Sequence, residues 1–73
     1  MQALLQPYRQ LKRYRLFSGF TQKDIASKLG MKLSTYQAKE QGRSSFTDAE
    51  KIEIKALISY QVPDVTIDDI FFA

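Results

Sequence analysis

Seventy-three residues carrying a net charge of +3 suit one domain, and a chain of this size buries only about 60–65% of the surface it exposes when unfolded, so one small core is expected. The sequence contains no cysteine and no histidine, which leaves disulfides, thiolate nucleophiles and histidine-based acid–base or metal chemistry without their usual residues. No nucleophile–base pair, phosphate-binding loop or paired-carboxylate site is visible either, so the chain is expected not to be an enzyme and to need no metal and no cofactor.

The opening stretch, Met1 to Leu5, has no charged n-region and no long apolar segment. No signal peptide is expected, and no apolar run approaches the roughly 20 residues that span a bilayer. A cytoplasmic location without membrane contact is expected. Pro7 suits a first helical turn, and Tyr8 to Phe17 reads as a first helix with Leu11 and Tyr14 inward and basic residues between them. Ser18-Gly19 ends it, glycine taking the left-handed conformation that helix stops prefer.

Four segments then open with Ser or Thr and carry Asp, Glu or Gln three residues later: Thr21–Asp24, Ser34–Gln37, Thr47–Glu50 and Thr66–Asp69. In a capping box the hydroxyl accepts a first-turn N–H, and the acid or amide reaches back to the N–H of the cap residue. Four such patterns, each followed by apolar spacing, predict an all-helical domain of four to five short helices. Helix two spans about 21–29, with Ile25, Ala26 and Leu29 inward, and Gly30-Met31-Lys32 breaks it. Helix three runs from Leu33 or Ser34 to Gln41 and stops at Gly42. A loop over 43–46 leads to helix four, 47–59, with Ile52, Ala56 and Leu57 expected to face inward. Val62-Pro63-Asp64 stops that helix, because the residue before proline avoids helical geometry. A short fifth turn covers 66–72.

Charge is unevenly placed along this helical series. Met1 to Arg43 holds nine Lys and Arg against two acids, a net of +7, whereas Ser44 to Ala73 holds two Lys against six acids, a net of −4. A basic front and an acidic rear fit one face turned to a polyanion; chance clustering on a solvated surface is the plain alternative.

Two short helices joined by a glycine-containing turn form the helix-turn-helix unit, which sets its second helix in the DNA major groove. The segment 21–42 has that form. Thr21-Gln22, Ala26, Leu29-Gly30, Ser34-Thr35-Tyr36 and Glu40-x-Gly42 fall in one register, and with it the stretch from Leu11 to Gly42 resembles the lambda repressor and Cro family; the ending Val65 to Phe72 looks like the tails of small phage and prophage regulators. The resemblance implies a lambda-repressor-like fold and a sequence-specific DNA-binding transcriptional regulator, a repressor or Cro-like switch protein, with double-stranded DNA as partner and the nucleoid as its place when bound. It implies that Gln22 contacts a phosphate or an adjacent base, that Lys32 and Arg43 clamp flanking phosphates, and that Leu33, Ser34, Thr35, Gln37 and Ala38 face or flank base edges. It also implies that Arg15 and Glu40 form a structural pair tying helix one to the end of helix three.

The residues themselves agree in part, since Ser34, Gln37, Ala38 and Gln41 share one face opposite Tyr36. Leu33 and Ala38 stand where relatives carry long polar side chains, and Lys32 replaces the small hydroxyl that usually caps helix three. Only Gln37 can make a two-point contact to adenine, so phosphates, DNA shape or a second copy must supply the remaining specificity. Solvated surface residues are the alternative reading of Gln22, Lys32, Gln37 and Arg43. The aromatics Tyr8, Tyr14, Phe20, Tyr36, Phe46 and Phe71 are expected in the core.

A single recognition helix is a small footprint, so a homodimer is expected, joined through helix four and the acidic tail by Ile58, Tyr60, Val62, Ile67 and Phe72. The alternative function is a protein-interaction module, a modulator or anti-repressor binding a partner regulator through the same fold. It draws on Leu16 and Phe17, which stand at positions of helix one where relatives in the resembled family place polar residues, so that the resemblance implies exposure of both; packing against Leu4 and Leu5 is the equal competing account of that pair.

Overall fold

The computed structural model describes residues 8–72; Leu4, Leu5 and Pro7, and the expectations attached to them, lie outside that range. Five helices follow one another: α1 (Arg9–Phe17), α2 (Gln22–Lys28), α3 (Leu33–Glu40), α4 (Asp48–Ser59) and α5 (Ile67–Phe71). No strand occurs among the described residues. The all-α expectation and the five segments therefore hold, with boundaries within a residue or two of those read from the sequence.

Local chemistry explains most of the boundaries. Thr21, Thr47 and Thr66 are N-caps in extended geometry, and each accepts from the backbone N–H three residues on while that residue's carboxylate accepts from the cap N–H. Three of the four expected capping boxes are thus present. The fourth is not: α3 begins at Leu33 with Lys32 as its N-cap, and no side chain caps it. Ser34 consequently sits inside the first turn, too late to serve as a cap, and Gln37 turns its amide elsewhere. The first-turn N–H groups of α3 are left without an intrahelical or side-chain acceptor.

One device closes the first three helices. At the end of α2, Met31 N–H reaches back to Ala26 O at 3.0 Å and Gly30 N–H to Ser27 O at 3.1 Å. This wrap needs a left-handed residue, and Gly30 supplies it with φ 70°. Gly19 and Gly42 do the same after α1 and α3.

The core consists of Leu11, Ile25, Ala26, Tyr36, Phe46, Ile54, Ile58, Val65, Ile70 and Phe71. Helix α2 packs on α3, while α5 packs on both α1 and α4. Phe46, from the loop before α4, is the hub of an edge-to-face aromatic cluster, with ring centroids 5.3 Å from Tyr8, 5.4 Å from Phe71 and 6.1 Å from Tyr36. Such geometry sets positive ring edges against negative faces. The six aromatics expected inside are all there: Tyr36, Phe46 and Phe71 buried, and Tyr8, Tyr14 and Phe20 half-buried against them.

Helix α4 is turned differently from expectation. Ile52 is 58% exposed and Ala56 is exposed, whereas Ile54 and Ile58 are buried and Leu57 is half-buried. Isoleucines four apart form one stripe, and that stripe is the one that meets α5 and the aromatic cluster. Ile58 is fully enclosed by its own chain and is thereby removed from any contact between subunits. Val62 and Ile67 are also partly used by the core, leaving Tyr60 and Phe72 as the outward members of the expected dimer set.

Candidate nucleic-acid interface

Helix α3 has one committed face and one open face. Tyr36 and Glu40, one turn apart, are buried. Opposite them, Ser34 and Gln41 are exposed and Gln37 and Ala38 half-buried, with Thr35 and Leu33 flanking in exposed positions. Lys32 precedes this edge and Arg43 follows it, and both are exposed. All eight residues singled out around the turn and α3, counting Gln22, therefore belong to one two-helix unit, and none of them is fully buried.

Beneath the open edge lies a buried polar relay. Arg15 donates to the Glu40 carboxylate with both Nε, at 2.9 Å, and Nη2, at 3.2 Å, while its Nη1 donates to Phe20 O at 3.0 Å. Tyr36 Oη donates at 2.6 Å to Glu40 Oε2, the oxygen that also accepts from Arg15 Nε. Gln22 Nε2 adds a further donor to Glu40 at 2.9 Å. Arg15 and Glu40 are 4% and 8% exposed, so the expected pair is present and almost dry. Burial on its own pushes the Glu40 carboxyl up, but the bonds from Arg15, Tyr36 and Gln22 outweigh it and hold the group below the usual carboxylate range. Burial pushes the Tyr36 hydroxyl up as well, and there the bond to Glu40 adds to the effect, leaving the group well above its ordinary value.

The relay ends at the open edge. Gln37 Nε2 donates to Gln22 Oε1 at 3.1 Å. A carboxylate only accepts, so Gln22 must turn its N–H₂ to Glu40 and its oxygen to Gln37. Gln37 must then answer with its own N–H₂. Among the described residues, its oxygen and its second N–H take no other partner. The sequence pointed to the Arg15–Glu40 pair, and to Gln22 and Gln37 separately, but not to the linkage of the two glutamines with that pair. Tyr36 and Glu40 at i, i+4 was a readable signal for one link; the Gln22–Gln37 contact, between residues of different helices, left none.

A second connection also went unread. Lys39 Nζ binds Glu50 Oε1 at 2.7 Å and Ser45 O at 3.1 Å, tying the end of α3 to the start of α4. Lys39 is thereby committed to structure. The exposed cations of the two-helix unit are Lys23 and Lys28 on α2, Lys32 before α3 and Arg43 after it.

The unit can thus offer an outward helix edge with one pre-oriented amide, an uncapped helix start and a cationic surround. Among the described residues, no group of His, Cys, Asp and Glu side chains is placed to hold a metal ion, and no helix is long and apolar enough to cross a membrane. Comparison of the chain with protein-family models, with curated proteins and with solved structures finds no match.

Proposed function

We propose that this chain is a sequence-specific DNA-binding transcriptional regulator of the lambda repressor and Cro helix-turn-helix type, non-catalytic and acting in the cytoplasm as a homodimer. The observation that carries the reading is the open edge of α3: Ser34, Gln37, Ala38 and Gln41 outward, Tyr36 inward, exposed Lys32 and Arg43 at its two ends. The B-DNA major groove admits an α-helix and displays hydrogen-bonding groups to it. Gln37, held by Gln22, keeps an acceptor and a donor in the arrangement that adenine presents for a bidentate contact. Lys32, Arg43 and the uncapped N–H groups of α3 are suited to phosphates, which position the protein without reading sequence. Leu33 offers an apolar contact for a thymine methyl. The two copies pair through Tyr60 and Phe72 on the rear, with half-sites about 34 Å apart.

The test is a gel-shift titration against DNA from the promoter region of the chain's own operon across a series of salt concentrations. Binding that weakens steeply with salt and requires Gln37 supports the reading. No binding at low salt overturns it.

A second reading, a module that binds a partner regulator through the same fold, is favoured by Leu16 and Phe17, 58% and 72% exposed on consecutive positions. Activity that survives Gln37→Ala with Arg43→Ala but is lost with Phe17→Ser selects it over the first.

A further inference from the structure

Helix α1 buries Leu11 and Arg15 and turns Arg9, Lys12, Arg13, Leu16 and Phe17 outward. This face holds three cations and two apolar side chains, and α1 contains no acid to balance them. None of its three outward cations takes part in a salt bridge among the described residues, where the only ion pairs are Arg15–Glu40 and Lys39–Glu50. Phe17 does not merely project: with Gln10, Arg13, Tyr14 and Val62 it lines a shallow groove running along α1. An aromatic ring, an aliphatic neighbour and flanking guanidinium groups thus lie on one side of a single rigid helix.

We propose that this face docks an acidic, amphipathic segment of another protein, its apolar side chains on Leu16 and Phe17 and its carboxylates on Arg9, Lys12 and Arg13. Charge complementarity singles out this occupant. A second copy meeting the same face across a two-fold axis sets cations against cations. Duplex DNA takes the cations but leaves Leu16 and Phe17 facing phosphates. An anionic membrane meets only two apolar side chains on a helix of 9 residues, far less than stable interfacial anchoring requires. Of these four occupants, the acidic and apolar segment is the one that matches every outward side chain. The proposal names the partner chemistry for the second reading above, and it stands whether or not the α3 edge takes DNA.

The experiment pans a displayed library of random peptides on the immobilised full-length chain, then titrates an enriched peptide, resynthesised and labelled, against variants. Enriched peptides carry Asp or Glu beside Leu, Phe or Trp. Phe17→Ser weakens binding by about tenfold or more, as loss of an aromatic anchor does. Lys12→Glu with Arg13→Glu abolishes it, and raising salt from about 50 to about 300 mM weakens it several-fold. Gln37→Ala with Arg43→Ala leaves it unchanged, which separates this site from the α3 edge. All the α1 substitutions are at exposed positions, and an unchanged thermal transition shows that the variants fold. Four outcomes overturn the proposal: enriched peptides without acids, or none enriched at all; binding indifferent to Phe17→Ser; displacement of the peptide by duplex DNA or by phosphatidylserine vesicles; and salt-sensitive self-association lost with Phe17→Ser, which assigns the face to a second copy.

Discussion

Gln37 on α3 donates its amide N–H to the side-chain oxygen of Gln22, the first residue of α2, at 3.1 Å. Because Gln22 is itself oriented by the Glu40 carboxylate, the outermost amide takes its direction from a buried charge. Under the DNA-binding proposal, Gln37→Ala costs about 1–3 kcal/mol of discrimination at one base pair. Gln22→Ala costs a fraction of that by releasing Gln37, and the double variant behaves nearly as Gln37→Ala alone, since the two act as one unit. Fluorescence titration of the four proteins against matched and single-substituted DNA sites measures this. Fully additive losses show that the amides act independently.

The same carboxylate has a second duty, in stability. Glu40 receives Arg15, Tyr36 and Gln22 together in a nearly dry site. Glu40→Ala leaves the Arg15 guanidinium buried without a counter-charge, at a cost of about 3–5 kcal/mol. Arg15→Met combined with Glu40→Leu recovers most of that loss, because a pair removed whole leaves no stranded charge. Urea unfolding of the single and double variants decides it; a double variant as weak as Glu40→Ala refutes the reading.

Acid sensitivity has a definite sign. The carboxyl of Glu40 lies below its ordinary value of 4.5 in the folded chain. Glu50 is lowered too, burial being outweighed by its bonds with Lys39 and Thr47, and Asp24 is lowered chiefly by its bond from the Thr21 N–H. A depressed carboxyl stabilises fully above its unfolded pKa and loses that contribution as pH falls through the folded one. Stability therefore declines from about pH 5 downward. With no histidine in the sequence, no side chain with an ordinary pKa titrates between about 6 and 8, and stability is level there. Urea midpoints across this range test both halves, and a midpoint unchanged at acid pH contradicts the first.

Caps give a sharper comparison. Thr47 accepts from Glu50 N–H at 3.1 Å, and Glu50 answers at 2.9 Å. Ser34, which looks equivalent in sequence, caps nothing. Thr47→Ala costs about 1 kcal/mol, whereas Ser34→Ala stays within about 0.5 kcal/mol, as for an exposed residue outside a special role. Thermal or urea unfolding of the two variants ranks them, and equal losses dispose of the distinction.

These two residues show where the fold was legible and where it was not. A cap is decided within four residues, so the boxes opened by Thr21, Thr47 and Thr66, like the stops at Gly19, Gly30 and Gly42, could be read from local sequence. At α3 the pattern Ser34-x-x-Gln37 competes with a start one residue earlier. The tertiary anchoring of Tyr36, which fixes the helix from its far side, accompanies that earlier start. The open edge was legible because it follows from Tyr36 alone. The link from Gln37 through Gln22 to Glu40 was not, because it joins helices whose approach no local signal encodes.

Helix α4 carries the largest departure from its sequence pattern, and it yields the cleanest stability test. Ala49, Ile52, Ile54, Ala56, Leu57 and Ile58 are distributed almost all round the helix, so periodicity selects no face. The face is chosen by what packs there: Phe46, Phe71 and Ile70 meet Ile54 and Ile58 in one cluster, while Lys51 lies 5.0 Å from the Phe72 ring centroid at the rim. Ile58 is 0% exposed and Ile52 58% exposed. Ile58→Ala removes methyl groups from a closed core and costs about 2–5 kcal/mol, transfer and cavity combined. Ile52→Ala removes the same atoms from water and stays within about 0.5 kcal/mol. The chemistry of the two substitutions is identical, so the difference between their urea midpoints reports the orientation of α4 alone. Were Ile52→Ala the costlier change, the helix would be rotated from the orientation described, and Ile58 would return to the surface as a contact for a second copy.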